Sequence, residues 1–225
     1  MHDAERDERE RPARILIVDD HPLVRHGLRQ LISDEPNLEV CADAEGAAEA
    51  LHLVETLTPD LVVIDISLKT GSGIELIKAI RAIDDSIKTL VYSMHEELLY
   101  AERALRAGAR GYVSKLEATD SIIDAIRRVL DGKIAVSDQM SERLLARIAQ
   151  QPPESYQDPI SSLTDRELEI FELFGKGFTT REVADHLNRS IKTIETHRER
   201  ISRKLDLRNA SEFVRRATQW VVDRS

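Results

Sequence analysis

The chain has little of what marks secreted, membrane-embedded or cross-linked proteins. Only one of its 225 residues is cysteine, so no internal disulfide can form. Cys41 lies in the apolar run from Leu38 to Ala42 and reads as a small core residue. Aromatic residues make up 4% and hydrophobic residues 41%, which fits a soluble globular protein. No apolar run approaches the ~20 residues that a membrane-spanning helix needs. The first twelve residues, MHDAERDERERP, lack the apolar core of a secretory signal and read as a disordered lead-in to a cytoplasmic protein without a membrane partner. There is no internal repeat. The length suits two ordinary domains better than one large one.

A net charge of −9 looks wrong for a nucleic-acid binder until it is divided along the chain. Residues 1–160 hold 19 Lys and Arg against 30 Asp and Glu, whereas residues 161–225 hold 13 against 11. Within the tail, Arg189 to Arg208 carries seven basic residues against three acids. An acidic front half therefore precedes a locally basic stretch, the asymmetry expected if only the C-terminal part approaches phosphates.

From Arg14 to Leu130, short apolar runs alternate with amphipathic stretches of helical length, the pattern of βα units around a parallel sheet. Strands are expected at Ile15–Val18, Leu38–Ala42, Leu61–Ile64, Thr89–Ser93 and Gly111–Val113. Helices are expected at Pro22–Ser33, Gly46–Leu57, Gly73–Ile83, Glu97–Ala107 and Ala118–Leu130. A short helix over 137–150, with Met140, Leu144, Leu145 and Ile148 on one side, leads to QPPESYQDP, whose three prolines read as an exposed linker. The expected division is a lead at 1–12, a first domain at 13–133, a linker at 134–160 and a second domain at 161–225.

In an open parallel sheet, the binding crevice lies at the carboxyl ends of the strands. Asp19 and Asp20 follow the first strand, Asp65 the third and Lys115 the fifth, while Ser93 closes the fourth. Three converging carboxylates repel one another, and a hard divalent cation with oxygen ligands, Mg²⁺ above all, relieves that repulsion. With Mg²⁺ and Lys115 balancing charge, Asp65 is a candidate nucleophile toward a phosphoryl group, and Ser93 and Lys115 are placed to contact its oxygens. No pair among His21, His26, His186 and His197 has metal-ligand spacing, so they read as structural or surface residues.

ILIVDDHPLVRHGL, DLVVIDISL, VYSMH and ARGYVSK resemble the receiver domain of response regulators, in the NarL/FixJ subfamily, over residues 13 to 133. The resemblance implies a flavodoxin-like (βα)5 fold with Asp65 as phosphoacceptor for a sensor histidine kinase. It implies Mg²⁺ held by Asp19, Asp20, Asp65 and the Ser67 carbonyl, and a switch formed by Ser93, Tyr112 and Lys115. In such a switch Ser93 moves toward the phosphate and Tyr112 turns inward behind it. One departure stands out: Lys69 and Thr70 occupy the places where the family usually has Met-Pro, which bears on loop rigidity and phosphate lifetime.

In the tail, Thr164-Asp165-Arg166-Glu167 and Thr179-Thr180-Arg181-Glu182 both match the capping box, and Ser190 is placed to cap a third helix, Ile191 to Leu205. Two short helices with so brief a turn make a helix-turn-helix. The third helix turns Ile194, Ile201 and Leu205 to the core and assigns Lys192, Thr193, Glu195, Thr196, Arg198, Glu199, Arg203 and Lys204 to DNA. Residues 161 to 222 are similar to the LuxR-type effector domain, which implies a fourth helix, Ala210 to Val222, used for dimerisation on DNA, with Trp220 in the core. The expected partners are a histidine kinase, double-stranded promoter DNA, a second copy of the chain and RNA polymerase.

Two rivals differ in class. A phosphohydrolase of the haloacid dehalogenase type needs an acid two residues after its nucleophile, where this chain has Ser67, so no enzyme activity is expected beyond phosphotransfer to the chain itself and its own dephosphorylation. The nearer rival is a regulator that binds DNA without phosphate and uses its receiver for dimerisation or docking.

Overall fold

The computed structural model describes residues 11–68, 71–95, 97–150, 159–187 and 189–222. Lys69, Thr70 and the expected linker core 151–158 lie outside them. Two compact units divide at Gln150 and Gln151.

The first unit is built on the parallel strands β1 (Ala13–Val18), β2 (Leu38–Ala44), β3 (Leu61–Ile64), β4 (Lys88–Ser93) and β5 (Gly111–Ser114), in the order β2-β1-β3-β4-β5. Between them run α1 (Pro22–Ser33), α2 (Ala47–Leu57), α3 (Gly73–Ile83) and α4 (Glu97–Ala107), with α5 (Thr119–Leu130) following β5. The expected elements are all present, most boundaries moving by two residues or fewer. Ile15 to Val18 and Leu61 to Ile64 are fully buried because helices cover both faces of the sheet. On one face Ile15, Ile17, Leu61, Val63, Leu90 and Val113 join Leu28 and Ile32 of α1 and Ile122, Ile126 and Val129 of α5 in one cluster. Each such side chain stabilises the fold by about 1.5–3 kcal/mol on burial.

β1 pairs in parallel with β2 on one side and with β3 on the other, so the order in which strands are added reverses between β1 and β3. The register sets Val18 beside Ile64. Asp19 and Asp65, the next residues of each strand, therefore emerge side by side at the switch point.

Two expectations need correction here. Cys41 is half-buried rather than core: β2 is an edge strand, and the β1–β2 register passes over Cys41 in a bulge while its Sγ donates to the Ile15 carbonyl at 3.4 Å. Burial pushes this thiol above its ordinary range. Residues 134–150, expected in the linker, belong to the first unit. Ala135 bridges to Gly111 and accepts the Tyr112 N–H at 2.7 Å, extending the edge of the sheet. The helix α6 (Asp138–Gln150) then packs on α4. The Ser137 N–H donates to Glu97 at 2.9 Å, the Arg143 guanidinium donates to the Leu98 carbonyl at 3.2 Å, and Met140 is fully buried. Leu145, expected on the same apolar side, instead stands 66% exposed.

The second unit begins with a 3-10 turn at Pro159–Ser162 and contains α7 (Asp165–Gly175), α8 (Thr180–His186), α9 (Ile191–Lys204) and α10 (Ala210–Val222). Both capping boxes form as the sequence predicts. Thr164 accepts the Glu167 N–H while Glu167 accepts the Thr164 N–H, and Thr179 and Glu182 do the same. The Ser190 hydroxyl accepts the Thr193 N–H at 3.1 Å. Phe213 sits edge-on to Phe171 and Phe174, with ring centroids 5.4 and 5.3 Å away, and Trp220, 5% exposed, completes the core as expected.

Candidate functional site

The loops at the ends of β1, β3, β4 and β5 bring Asp19, Asp65, Ser93 and Lys115 into one buried group. Asp19 and Asp65 are 2% and 3% exposed, and Ser93 is fully buried. The Ser93 hydroxyl donates to Asp65 Oδ1 at 2.8 Å, and the Ser67 N–H approaches the same oxygen at 3.4 Å. Lys115 Nζ donates to Asp65 Oδ2 at 2.5 Å and to Asp19 Oδ2 at 2.6 Å. Burial alone lowers the Lys115 pKa, but the charges and hydrogen bonds of Asp65 and Asp19 together outweigh it and push the ammonium above its ordinary range. One ammonium thus bridges two almost fully buried carboxylates.

Asp20 lies at the rim. One carboxylate oxygen each from Asp19, Asp20 and Asp65, together with one ring nitrogen of His21, lie within 4.8 Å of one another. His21 Nδ1 is 2.7 Å from Asp20 Oδ1, and its backbone N–H donates to Asp19 Oδ1 at 2.8 Å. His21, read from the sequence as a structural or surface residue, is at the surface but beside the acidic group. Its ring is 67% exposed, yet it borders the acidic group because Pro22 starts α1 immediately after it. The oxygens are hard donors in the number a hard divalent cation takes from protein, with water completing its shell, so the residues fit Mg²⁺.

His95 was not singled out from the sequence. Its Nε2 lies 2.7 Å from Ser67 Oγ, its ring stands 4.6 Å from that of Tyr100, and its carbonyl accepts the Tyr112 hydroxyl at 2.8 Å. Tyr112 is turned inward, 2% exposed. A histidine two residues after the strand-end serine was the available signal, but only the loop geometry shows that it meets Ser67.

In the second unit, α9 presents Lys192, Glu195, Thr196, Glu199 and Arg203 to solvent, and Thr193 is half-buried beside the Ser190 cap. Two of the residues expected at DNA also make contacts within the domain. Arg198 lies over the rings of Phe174 and Phe213 at 5.7 and 5.5 Å, and Lys204 Nζ donates to Glu167 at 2.6 Å and to the Ser162 carbonyl at 3.1 Å. The spacing contained that information. Arg198 is four residues after Ile194 and three before Ile201, and Lys204 is three after Ile201, which puts both beside the buried stripe. Burial raises the Glu167 pKa, but the bonds from Lys204 and Thr164 prevail and hold it below the ordinary carboxylate range.

Residues 15–127 match the response regulator receiver domain family, and residues 161–217 match the luxR family of bacterial regulatory proteins. The chain belongs to the LuxR-type response regulators. It is similar to the nitrate/nitrite response regulator protein homolog of Haemophilus influenzae, 31% identical over 86% of this chain and 90% of that protein. It is also similar to the oxygen regulatory protein NreC of Staphylococcus carnosus, 32% identical over 89% and 94%. Among solved structures, RcsB from Salmonella enterica serovar Typhimurium, bound to promoter rprA in the presence of the phosphomimetic BeF3-, aligns with a TM-score of 0.58 at 26% identity, over 92% of this chain and 98% of that one. This response regulator is thus a flavodoxin-like receiver followed by a LuxR-type DNA-binding domain. Among its described residues no helix is long and apolar enough to cross a membrane.

His197 is expected to give the DNA-binding domain of the response regulator a pH-dependent stability. Its Nδ1 is buried without a hydrogen-bond partner among the described residues. Burial first, then the charges of Arg166, Arg200 and Arg189, with Glu167 opposing, hold it below its ordinary value of 6.5. The unfolded chain then binds the proton more readily, so stability is unaffected well above pH 6.5 and falls as pH drops through that value toward the lower folded pKa. Thermal unfolding of the domain should shift to lower temperature between neutral and mildly acidic buffer, and His197→Asn should flatten that shift. An unchanged slope in the variant would assign the effect elsewhere.

Proposed function

We propose that Asp65 accepts a phosphoryl group from a sensor histidine kinase in the cytoplasm, and that the modified receiver controls sequence-specific binding of promoter DNA through α9. The observation that carries this reading is the buried Asp65 carboxylate, with the Ser93 hydroxyl on one oxygen and the Lys115 ammonium on the other. An oxygen of Asp65 forms the new bond to phosphorus as the bond from phosphorus to the donor histidine nitrogen breaks, and the imidazole leaves with the electron pair. Ser93 donates a hydrogen bond and Lys115 a charge-assisted one to the phosphoryl oxygens, in a site from which most water is excluded. Asp19, Asp20, Asp65 and the Ser67 carbonyl would hold Mg²⁺, which when bound neutralises negative charge on the transferring group.

Modification of Asp65 offers Ser93 and Lys115 phosphoryl oxygens in place of carboxylate ones and so bears directly on the chain of contacts Ser93, His95, Tyr112 and Ala135 that leads to α6. On α9, Lys192, Thr193, Glu195 and Thr196 lie near the N-terminus of the helix, where base edges are read, and Arg203 lies farther along, where phosphates are reached. The promoter-bound RcsB structure supports DNA as the ligand. A dimer formed through α10 and engagement of RNA polymerase complete the proposed working form.

Incubation with Mg²⁺ and acetyl phosphate, followed by intact mass measurement, should show one phosphoryl adduct on the wild-type protein and none on Asp65→Asn. No adduct should form when Mg²⁺ is chelated before the phosphodonor is added. Equal labelling of both proteins would remove Asp65 from the reaction.

A further inference from the structure

The acids of the pocket sit on a loop that needs holding. Asp19 and Asp20 fall between the end of β1 and the start of α1, and the backbone there is fixed only in part by the Asp19 N–H bond to the Ala44 carbonyl at 3.1 Å. Arg25, one turn into α1, supplies another tie. Its Nη1 donates to the Asp19 carbonyl at 2.7 Å, its Nε to Asp43 Oδ2 at 2.9 Å and its Nη2 to Glu45 Oε1 at 2.9 Å. One guanidinium thereby joins the β1–α1 loop to the end of β2 and to the loop after it. Its side chain is only 11% exposed, and Arg29 braces Asp43 from the other side.

The Asp19 carbonyl belongs to the peptide that joins Asp19 to Asp20. Holding it sets the plane of that peptide and so the direction in which the Asp20 chain leaves, while the Asp19 carboxylate is fixed separately by Lys115 and the His21 N–H. Charge does not account for the arrangement. A bare guanidinium so close to a cation site would oppose the cation, but Asp43 and Glu45 cancel its charge and leave its hydrogen-bonding fork. A fork is required, because a lysine ammonium on a flexible stem cannot reach three acceptors on three segments in one plane.

We infer that Arg25 is a positioning residue for the divalent cation. By orienting the Asp19–Asp20 peptide it pre-sets the oxygens that bind the ion, as outer residues do at metal sites generally, where their loss weakens affinity about 10- to 100-fold. The inference rests on the proposed Mg²⁺ site and makes a prediction opposite in sign to simple electrostatics. Deleting a positive charge near the pocket should tighten cation binding if charge alone matters, and weaken it if orientation matters.

The test is a Mn²⁺ titration of the full-length protein, followed by the electron paramagnetic resonance signal of the free ion, with Mg²⁺ as competitor, on wild type, Arg25→Ala and Arg25→Lys. Both variants should bind Mn²⁺ roughly tenfold more weakly. Their labelling by acetyl phosphate should recover to the wild-type extent at saturating Mg²⁺. Thermal unfolding recorded on the same samples separates a loss of fold from a loss of position, and Arg25→Lys serves where Arg25→Ala does not fold. Tighter binding by Arg25→Ala, wild-type affinity in Arg25→Lys, or a lowered unfolding temperature with unchanged affinity would each overturn the role. Failure of the wild type to bind Mn²⁺ would instead remove the cation site on which the inference rests.

Discussion

Lys115→Met is expected to destabilise the receiver by about 3 kcal/mol at neutral pH in Mg²⁺-free buffer, because it leaves buried carboxylates without their cation. The methionine keeps much of the side-chain volume, so packing changes little. What changes is that Asp19 and Asp65, 2% and 3% exposed, face each other without the ammonium that now lies 2.6 and 2.5 Å from them. In the wild type the raised Lys115 pKa gives stability that is complete below the unfolded value of 10.5 and is lost only above the folded one, so the ammonium stays charged in ordinary buffers. In the variant the two buried carboxylates repel each other with no cation between them. Excess Mg²⁺ should then restore part of the lost stability at neutral pH. Urea unfolding with and without Mg²⁺ measures both effects, and a variant as stable as wild type in chelator would show that Lys115 does not balance the pocket.

Gly73→Ala should damage the same site from the opposite direction. Gly73 is buried at the start of α3, and its N–H donates to the Ile66 carbonyl at 2.8 Å. A Cβ there would collide with the Asp65 carbonyl oxygen and come within 2.8 Å of the Ile66 Cα and 2.9 Å of the Asp65 carbonyl carbon. These are backbone atoms of the nucleophile Asp65 and of the next residue, and no side-chain rotation relieves the overlap. Either α3 lifts from the sheet or the end of β3 shifts. The expected cost is about 3 kcal/mol of stability. Acetyl phosphate labelling should fall steeply in whatever fraction stays folded, because Asp65 leaves the reach of Ser93 and Lys115. Gly132→Ala is the control: Gly132 has a positive φ but open space around the position of its Cβ, so it should lose some stability and keep full labelling.

The sequence was most legible where one local rule decides. Fully buried strands wrote themselves as Val, Ile and Leu runs, and the Thr164 and Thr179 capping boxes marked helix starts that the structure reproduces. Pocket residues were legible because a parallel sheet delivers the residues after its strands to one edge, whatever the loops do. Residues whose role depends on register between distant segments were not. Arg25 reaches Asp43 and Glu45 only because β2 lies beside β1, and Ser67 meets His95 only because two loops curl toward each other. Cys41 was misread because an apolar run shows neither that its strand lies at the sheet edge nor that a bulge skips the residue. The first unit was cut short at residue 133 because Ala135 joins it mainly through its backbone, which side-chain patterns do not report. The second contacts of Arg198 and Lys204, with the Phe174 and Phe213 rings and with Glu167, were hidden behind a reading of their charge alone.

Coupling between the two units is the central claim, and it is tested most directly by titrating promoter DNA fragments with wild type and Asp65→Asn, each with and without acetyl phosphate at fixed salt and Mg²⁺. The expected result is that the phosphodonor tightens binding by the wild type about tenfold, a coupling within the usual range for linked sites, and leaves Asp65→Asn unchanged. Equal affinities in all four titrations would contradict the account and leave a DNA-binding protein whose receiver serves another purpose.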